Sequence, residues 1–207
     1  LLGKFLAKQA QKLGVVHRSG LVTEVILNES GHITGIKFDD GQILHGDFFL
    51  DCTGFKGQLI QQTLKVPFVS FSENLFNDAA VVFPTGQTET FSAQTISTAL
   101  KSGWAWSIPL TSRNGNGYVY SSSFCNSNDA ENELRTHLGL LDDPVTARHL
   151  KMKVGRVAKH WEKNCVAIGL SQGFIEPLEA TALDLVKQTI DSFIEAFSGG
   201  NYTEDKV

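Results

Sequence analysis

Two tryptophans separated by one residue, Trp104 and Trp106, restrict the structure of this chain more than any other feature of its sequence. Successive side chains of a β-strand point to opposite faces, so residues two apart share a face. Ile108 and Pro109 follow in the same segment, and proline fixes its own φ angle, which stiffens the exit of the strand. The pattern W-x-W-x-I-P therefore predicts a strand whose indoles form a rigid aromatic wall.

A second distinctive segment, Glu176-Pro177-Leu178-Glu179-Ala180-Thr181, leads into a predicted helix. Apolar residues recur at helical spacing from Ala182 to Phe197, and Ser198-Gly199-Gly200 ends the pattern. The first backbone N–H groups of a helix have no partner within it, so they form a natural anion site. The sequence therefore places an acidic segment directly beside a site suited to an anion.

Composition limits the classes of protein to which the chain can belong. Its 207 residues, 42% of them hydrophobic, suffice for a domain with an ordinary core. A net charge of −4 without a basic run argues against a nucleic-acid partner. No apolar run is long enough to span a membrane, and no secretory signal is visible.

The cysteines and histidines give no sign of a metal site. Cys52, Cys125 and Cys165 lie far apart without C-x-x-C spacing, which indicates neither a disulfide framework nor a zinc site. The 6 histidines show no ligand spacing, so we predict that all are surface or structural residues. We expect no metal and a cytoplasmic location.

Periodicity predicts a mixture of helices and short strands. The helices are expected at residues 2–13, at 129–138 with Asn128 or Asp129 as N-cap, and from Ala182 onward. The expected strands are residues 15–16, 21–27, 33–38, 43–44, 48–50, 79–83, 91–98, 104–109, 117–123, 151–157 and 164–168.

With its two motifs in this order, the chain resembles the flavin-dependent halogenases, the tryptophan halogenase family in particular. Asp51-Cys52-Thr53-Gly54 and the strand at 166–170 also follow the order of segments in that family. The resemblance implies a mixed α/β (α+β) structure, part of a glutathione-reductase-like FAD-binding fold with an antiparallel substrate-side sheet. Residues 1–65 would belong to the FAD-binding module, 66–150 to the substrate-side sheet, and 151–207 to the FAD module again.

No G-x-G-x-x-G turn, the usual pyrophosphate site of such a fold, occurs in the sequence. The chain also begins without Met, inside a predicted helix. We therefore expect an internal part of a longer protein. The resemblance implies that the dinucleotide motif, a catalytic lysine and C-terminal helices lie outside this part, which would be inactive alone.

The resemblance also implies the roles of individual residues. Glu179 would be catalytic, whereas Glu176 is expected to be an ordinary exposed acid. Thr181 and Ala182 would bind halide. FAD would be contacted by Val22, Thr53, Gly54, Gly169, Leu170 and Leu183. The active-site wall would consist of Trp104, Trp106, Ile108 and Pro109.

The implied activity is oxidative chlorination or bromination of tryptophan or a related indole. It would use O2, halide and reduced FAD supplied by a separate flavin reductase. The partners would be that reductase and a small aromatic substrate, with a homodimer of the whole protein left open.

Two alternatives remain. A flavin-dependent aromatic monooxygenase should lack W-x-W-x-I-P and carry Gly-Asp at Gly169-Leu170, and a non-catalytic protein would only bind flavin. From the residues alone, Asp51–Gly54 also fits a structural turn, and the indoles fit a purely structural core role.

Overall fold

The computed structural model describes residues 2–87, 92–176, 178 and 181–199. Its α-helices are α1 (Leu2–Lys12), α2 (Ser127–Leu138) and α3 (Thr181–Gly199), and a π-helical turn covers Gln58–Thr63. The strands are β1 (Val22–Leu27), β2 (Ile33–Phe38), β3 (Ile43–His45), β4 (Phe49–Asp51), β5 (Phe68–Ser70), β6 (Ala79–Thr85), β7 (Ile96–Leu100), β8 (Gly103–Pro109), β9 (Asn114–Tyr120), β10 (Arg148–Lys151), β11 (Gly155–Val157), β12 (Trp161–Glu162), β13 (Cys165–Ala167) and β14 (Gly173–Phe174).

One compact unit comprises Leu1–Phe49 and Lys163–Cys165. Its sheet has the order β1-β2-β3, with antiparallel neighbours, as the alternating sequence predicts. The Asn164 side chain joins this unit because its Oδ1 accepts from the Ile33 N–H at 3.0 Å and its Nδ2 donates to the Ile33 carbonyl at 2.7 Å. A side-chain amide thus holds a distant segment of the chain against β2.

The other unit comprises Leu50–Glu162 and Val166–Val207. Its largest sheet has the order β10-β6-β9-β8-β7, and every neighbouring pair is antiparallel. Two smaller sheets have the orders β14-β11-β5 and β12-β13-β4. The mixed α/β class and the antiparallel sheet around the tryptophans are therefore confirmed.

One face of the large sheet packs against α2 and forms the main hydrophobic core. Alternation along β6 sends Ala79, Val81 and Phe83 to this face, where they lie with the fully buried Leu134 of α2. The helix begins after Asn126, whose side chain accepts from the N–H groups of the second and third residues that follow it. This core supports the strand that carries the two indoles.

Several sequence predictions of boundaries were wrong. Val15 and Val16 lie outside any strand. The N-cap of α2 is Asn126, two residues before the predicted Asn128, because its side chain is the one placed to accept the free N–H groups. Strand β9 begins at Asn114, three residues before the predicted start, because Asn114 pairs with Pro109 of β8.

No helix in the described part of the chain is both long and apolar enough to span a membrane. Within those same ranges, no group of three or more His, Cys, Asp or Glu side chains is arranged to hold a metal ion.

Candidate functional site

The Asp51 side chain organises the turn that follows β4. Asp51 is fully buried, and its Oδ1 accepts from the Thr53 N–H at 2.9 Å and from the Thr53 hydroxyl at 2.6 Å. Its Oδ2 accepts from the N–H groups of Leu59 at 2.9 Å and Ile60 at 2.8 Å. The carboxylate thereby satisfies donors at the start of the π-helical turn, which explains why a buried acid is tolerated here.

The Gly169–Ser171 turn lies directly beside Asp51. The Asp51 carbonyl accepts from the Ile168 N–H at 3.0 Å and also from the Ser171 hydroxyl. Ser171 is fully buried. These bonds bring two sets of predicted cofactor residues together, Thr53 and Gly54 on one side and Gly169 and Leu170 on the other.

A cavity of about 430 Å³ opens beside this junction. Gly169 and Leu170 line it together with Ala182 and Leu183 of α3, so it collects predicted FAD and halide residues from two distant segments. Small-molecule sites commonly measure about 300–1,000 Å³. The volume therefore suits the planar ring of a cofactor rather than a whole dinucleotide.

His160, which the sequence predicts to be a surface or structural residue, is one of the residues that line the same cavity. Its Nδ1 lies 3.1 Å from the Gln172 amide nitrogen, while its buried Nε2 has no hydrogen-bond partner among the described residues. Burial lowers the pKa of the imidazole, and the Arg156 guanidinium lowers it further. The imidazole is therefore neutral near pH 7, and it borders a cavity whose lining is mostly apolar.

The lowered pKa of His160 makes the protein sensitive to acid. The unfolded chain binds a proton near the ordinary pKa of 6.5, whereas the folded state resists it. Stability is therefore full above that pH and is lost as the pH falls from 6.5 through the lowered folded pKa. We expect His160→Gln to lose less stability than the wild type between pH 7.5 and 5.5, measured by urea unfolding. An equal loss in both proteins would contradict this.

The two indoles lie on the face of the large sheet opposite α2. Ala105, between them, is buried in the core with α2, so alternation directs Trp104 and Trp106 to the other side. Their ring centroids are 5.9 Å apart. Trp106 pairs with Gly117 of β9, where an added Cβ would lie 2.2 Å from the indole. Only glycine at this position lets the ring lie against the neighbouring strand.

A second cavity, of about 640 Å³, lies over part of this wall. Trp106 and Ile108 contribute apolar lining, and Arg113 and Arg148 contribute two exposed guanidinium groups. Pro109 ends β8, paired with Asn114. Trp106 and Ile108 therefore face a space large enough for a small aromatic molecule, with positive charge nearby.

Glu176, expected to be an ordinary exposed acid, is instead partly buried and bonded. Its Oε1 accepts from the indole N–H of Trp104 and, at 2.6 Å, from the amide of Asn77. The sequence-based expectation was wrong because a contact between residues so far apart in the chain leaves no local pattern. The W-x-W-x-I-P and E-P-L-E-A-T segments are thus in direct contact.

The end of the second motif meets α3. Thr181 is the first residue of that helix, and its hydroxyl donates to the Leu178 carbonyl at 3.3 Å. Ala182 and Leu183 follow in the first turn, where backbone N–H groups have no partner within the helix. Glu179 lies outside the described residues.

The remaining predicted cofactor residue, Val22, belongs to the first compact unit, where it pairs with Phe38 across β1 and β2. Sequence reasoning also missed Asn77 and His160. A histidine directly before Trp161 and the buried strand β13 was the available signal for His160, whereas nothing local marked Asn77.

Comparison with known proteins points to one family. A family model described as tryptophan halogenase matches residues 1–207. A protein named tryptophan 6-halogenase SttH, from Streptomyces toxytricini, is 40% identical over 205 residues, which cover 98% of this chain and 39% of the relative. The crystal structure of SttH superposes with a TM-score of 0.92 at 39% identity, over 98% of this chain and 40% of that one.

A second structure, of Tar14, is described as a tryptophan C-6 flavin-dependent halogenase (chlorinase) from taromycin biosynthesis. It superposes with a TM-score of 0.90 at 39% identity, over 99% of this chain and 41% of that one. The chain thus spans about two fifths of the length of the relatives it matches. On the family match and these likenesses, the chain belongs to the tryptophan halogenase family.

Proposed function

We propose that the protein is an FAD-dependent halogenase that chlorinates or brominates tryptophan or a related indole. The main support is the contact between its two motifs, in which Trp104 of the aromatic wall donates to Glu176 of the acidic segment. Family membership and the names of the relatives support the reaction and the substrate class.

Within this proposal, the chain forms part of a glutathione-reductase-like FAD-binding fold. Residues 1–65 and 151–207 contribute to the FAD module, with β1 to β3 as its accessory sheet, and 66–150 form the substrate-side sheet. The free cysteines Cys52, Cys125 and Cys165 suit a reducing compartment, and we expect the cytoplasm.

The 430 Å³ cavity is the proposed site of the flavin ring. Gly169 and Leu170 would approach the cofactor through their backbone, and the Leu183 backbone would contact its isoalloxazine ring. The Thr53 hydroxyl is engaged with Asp51 and with the Gln58 N–H at 2.7 Å, so contact by Thr53 would be through its backbone. Gly54 follows with open space on its Cβ side. Val22 is the remaining residue proposed to contact FAD.

Bound FAD, reduced by a separate flavin reductase, supplies the reaction with O2 that oxidises halide to the level of hypohalous acid. The protein supplies position and charge around that chemistry. Thr181 and Ala182 would hold halide at the start of α3, where the helix dipole favours an anion. Glu179 would stabilise the positive charge of the attacked ring and accept its proton.

The wall of Trp104, Trp106, Ile108 and Pro109 would keep the aromatic substrate away from the flavin and disfavour hydroxylation. The cavity over Trp106 and the two guanidinium groups that line it would suit an aromatic substrate with a carboxylate.

The reaction is tested with protein expressed from its complete coding sequence. FAD, NADH, a flavin reductase and either chloride or bromide are added to tryptophan and to indole, and products are analysed by mass spectrometry. A halogen isotope pattern in the product is the expected result. A hydroxylated product would move the protein to the monooxygenases, and flavin turnover without any organic product would contradict the proposed substrate class.

Cofactor binding at the cavity gives a separate prediction. Gly169 has φ of 73° and lines the cavity, so Gly169→Ala adds a methyl group there and costs about 1–2 kcal/mol of backbone strain. Crowding of a packed site typically costs about 1–3 kcal/mol more. We expect the dissociation constant for FAD, measured by flavin fluorescence, to rise about tenfold.

Gly139 provides the matched control for this substitution. It has φ of 69° at the end of α2, with open space around an added Cβ, so Gly139→Ala carries the same backbone strain away from the cavity. We expect its FAD affinity to equal that of the wild type. Equal affinity in all three proteins would contradict the placement of FAD beside Gly169.

A further inference from the structure

The Glu176 carboxylate joins three segments that are distant in the sequence. One oxygen, Oε1, accepts from the Trp104 indole, 72 residues away, and from the Asn77 amide, 99 residues away. All three side chains are partly buried. One oxygen thus holds two donors at once, and partial burial reduces the competition of water for both hydrogen bonds. The contact is therefore a strong local constraint.

Both donors come from rigid supports. Trp104 lies in β8, which is paired on one side with β7 and on the other with β9. Asn77 directly precedes Asp78, whose carboxylate accepts from the Ser122 N–H at 2.7 Å and from the Ser122 hydroxyl at 2.6 Å. The position of the Glu176 carboxylate is thus set by the large sheet.

The two tryptophans of the wall are not equivalent. Trp106 lies against Gly117, and its indole N–H makes no hydrogen bond within the ranges that the structure describes. An indole has a single polar donor and no acceptor. Replacement by Phe keeps an aromatic ring at both positions but removes the N–H donor. It should therefore break a hydrogen bond at Trp104 and none at Trp106.

We propose that Trp104 is a positioning residue whose indole N–H, together with the Asn77 amide, fixes Glu176 and thereby the E-P-L-E-A-T segment. Thr181, the first residue of α3, follows Glu176 by five positions. Glu179 lies between these two residues in the sequence. The kinetic consequence of this role rests on the proposed halogenase function, whereas the contact and its effect on the segment do not.

The contact is tested by NMR on ¹⁵N-labelled protein expressed from its complete coding sequence. The Trp104 indole N–H resonance is assigned by its loss in Trp104→Phe. Glu176→Leu should shift it upfield and speed its exchange with solvent, while Glu176→Gln should largely preserve it because an amide oxygen still accepts.

Trp104→Phe should also shift the backbone amides of residues 178 and 181–183, and Trp106→Phe should leave them in place. An indole resonance insensitive to Glu176→Leu would overturn the proposal, as would equal effects of the two Phe variants on those amides.

Kinetics test the consequence in the same protein with FAD, reductase and bromide. We expect Trp104→Phe and Glu176→Leu each to lower kcat about 10- to 100-fold, with KM for the indole substrate nearly unchanged and with Glu176→Gln close to the wild type. The double variant should be no slower than the slower single variant, since both remove one interaction. Fully additive losses would overturn the positioning role. A wild type that forms no halogenated product would overturn the proposed function instead, and the NMR result would still decide the role of Trp104.

Discussion

Asp51→Asn is expected to lower the free energy of unfolding by about 3 kcal/mol. The wild-type carboxylate is fully buried and accepts four hydrogen bonds, from the backbone and hydroxyl of Thr53 and from the N–H groups of Leu59 and Ile60. An amide keeps one accepting oxygen and turns its NH2 toward the donors on the other side, so two buried donors lose their partner. Each such loss costs about 1–3 kcal/mol.

Thermal and urea unfolding measure this change, and a loss of that size corresponds to a fall in Tm of about 6–12 °C. Asp47→Asn is the matched control because Asp47 is exposed and lies four residues earlier. Its effect should stay within about 0.5 kcal/mol. Similar, small effects of the two substitutions would show that the Asp51 network does not hold this turn.

Prediction from the sequence succeeded where periodicity and packing agree. The strand Ile33–Phe38 and the start of β8 near Trp104 follow from alternation, and α3 follows from its apolar stripe. It failed where a long-range contact decides the local structure. The π-helical turn Gln58–Thr63 is an example, because its first N–H groups are satisfied by Asp51 of β4.

In the candidate site, too, some features could be predicted from the sequence and others could not. The resemblance to the halogenases implied that Gly169 and Leu183 both contact FAD, and the two residues line the same cavity. The bond from Trp104 to Glu176 could not be predicted, since it depends on how β8 pairs in the sheet. The place of His160 beside the cavity was missed because it results from the packing of the chain, and no spacing of histidines in the sequence indicates it.

The sequence left open whether Asp51–Gly54 is a structural turn or an FAD contact, and the hydrogen bonds of Asp51 bear on that choice. The Thr53 hydroxyl bonds to Asp51 and accepts from the Gln58 N–H, so the Asp51–Gly54 segment has a structural role whether or not it contacts FAD. The same network fixes Ser171 through the Asp51 carbonyl. Substitution of Asp51 should therefore lower stability and cofactor binding together. Gly169→Ala should lower stability only by its backbone strain, as Gly139→Ala does, and should in addition weaken FAD binding.

Glu179→Gln is expected to lower the rate of halogenation about 10²- to 10³-fold, the range found when one preorganised electrostatic group is removed from an active site. Electrophilic attack leaves positive charge on the aromatic ring, and an ionised carboxylate stabilises that charge and accepts the departing proton. A neutral amide of nearly the same shape does neither. Flavin oxidation by O2 should continue at the wild-type rate, since Glu179 is proposed to act on the substrate. Product formation by mass spectrometry and flavin oxidation by absorbance are measured in the same reaction.

Glu195→Gln is the control for this charge change. Glu195 is exposed on α3, so its substitution removes the same charge from the helix that follows Glu179 without touching the cavity, and activity should be unchanged. Glu176→Gln, which keeps an accepting oxygen for Trp104, should also remain active. If Glu179→Gln halogenates as fast as these two variants, the acid that assists substitution is not in this segment. If instead flavin oxidation falls in parallel with halogenation, Glu179 acts on the reaction of the flavin with O2 rather than on the substitution at the aromatic ring.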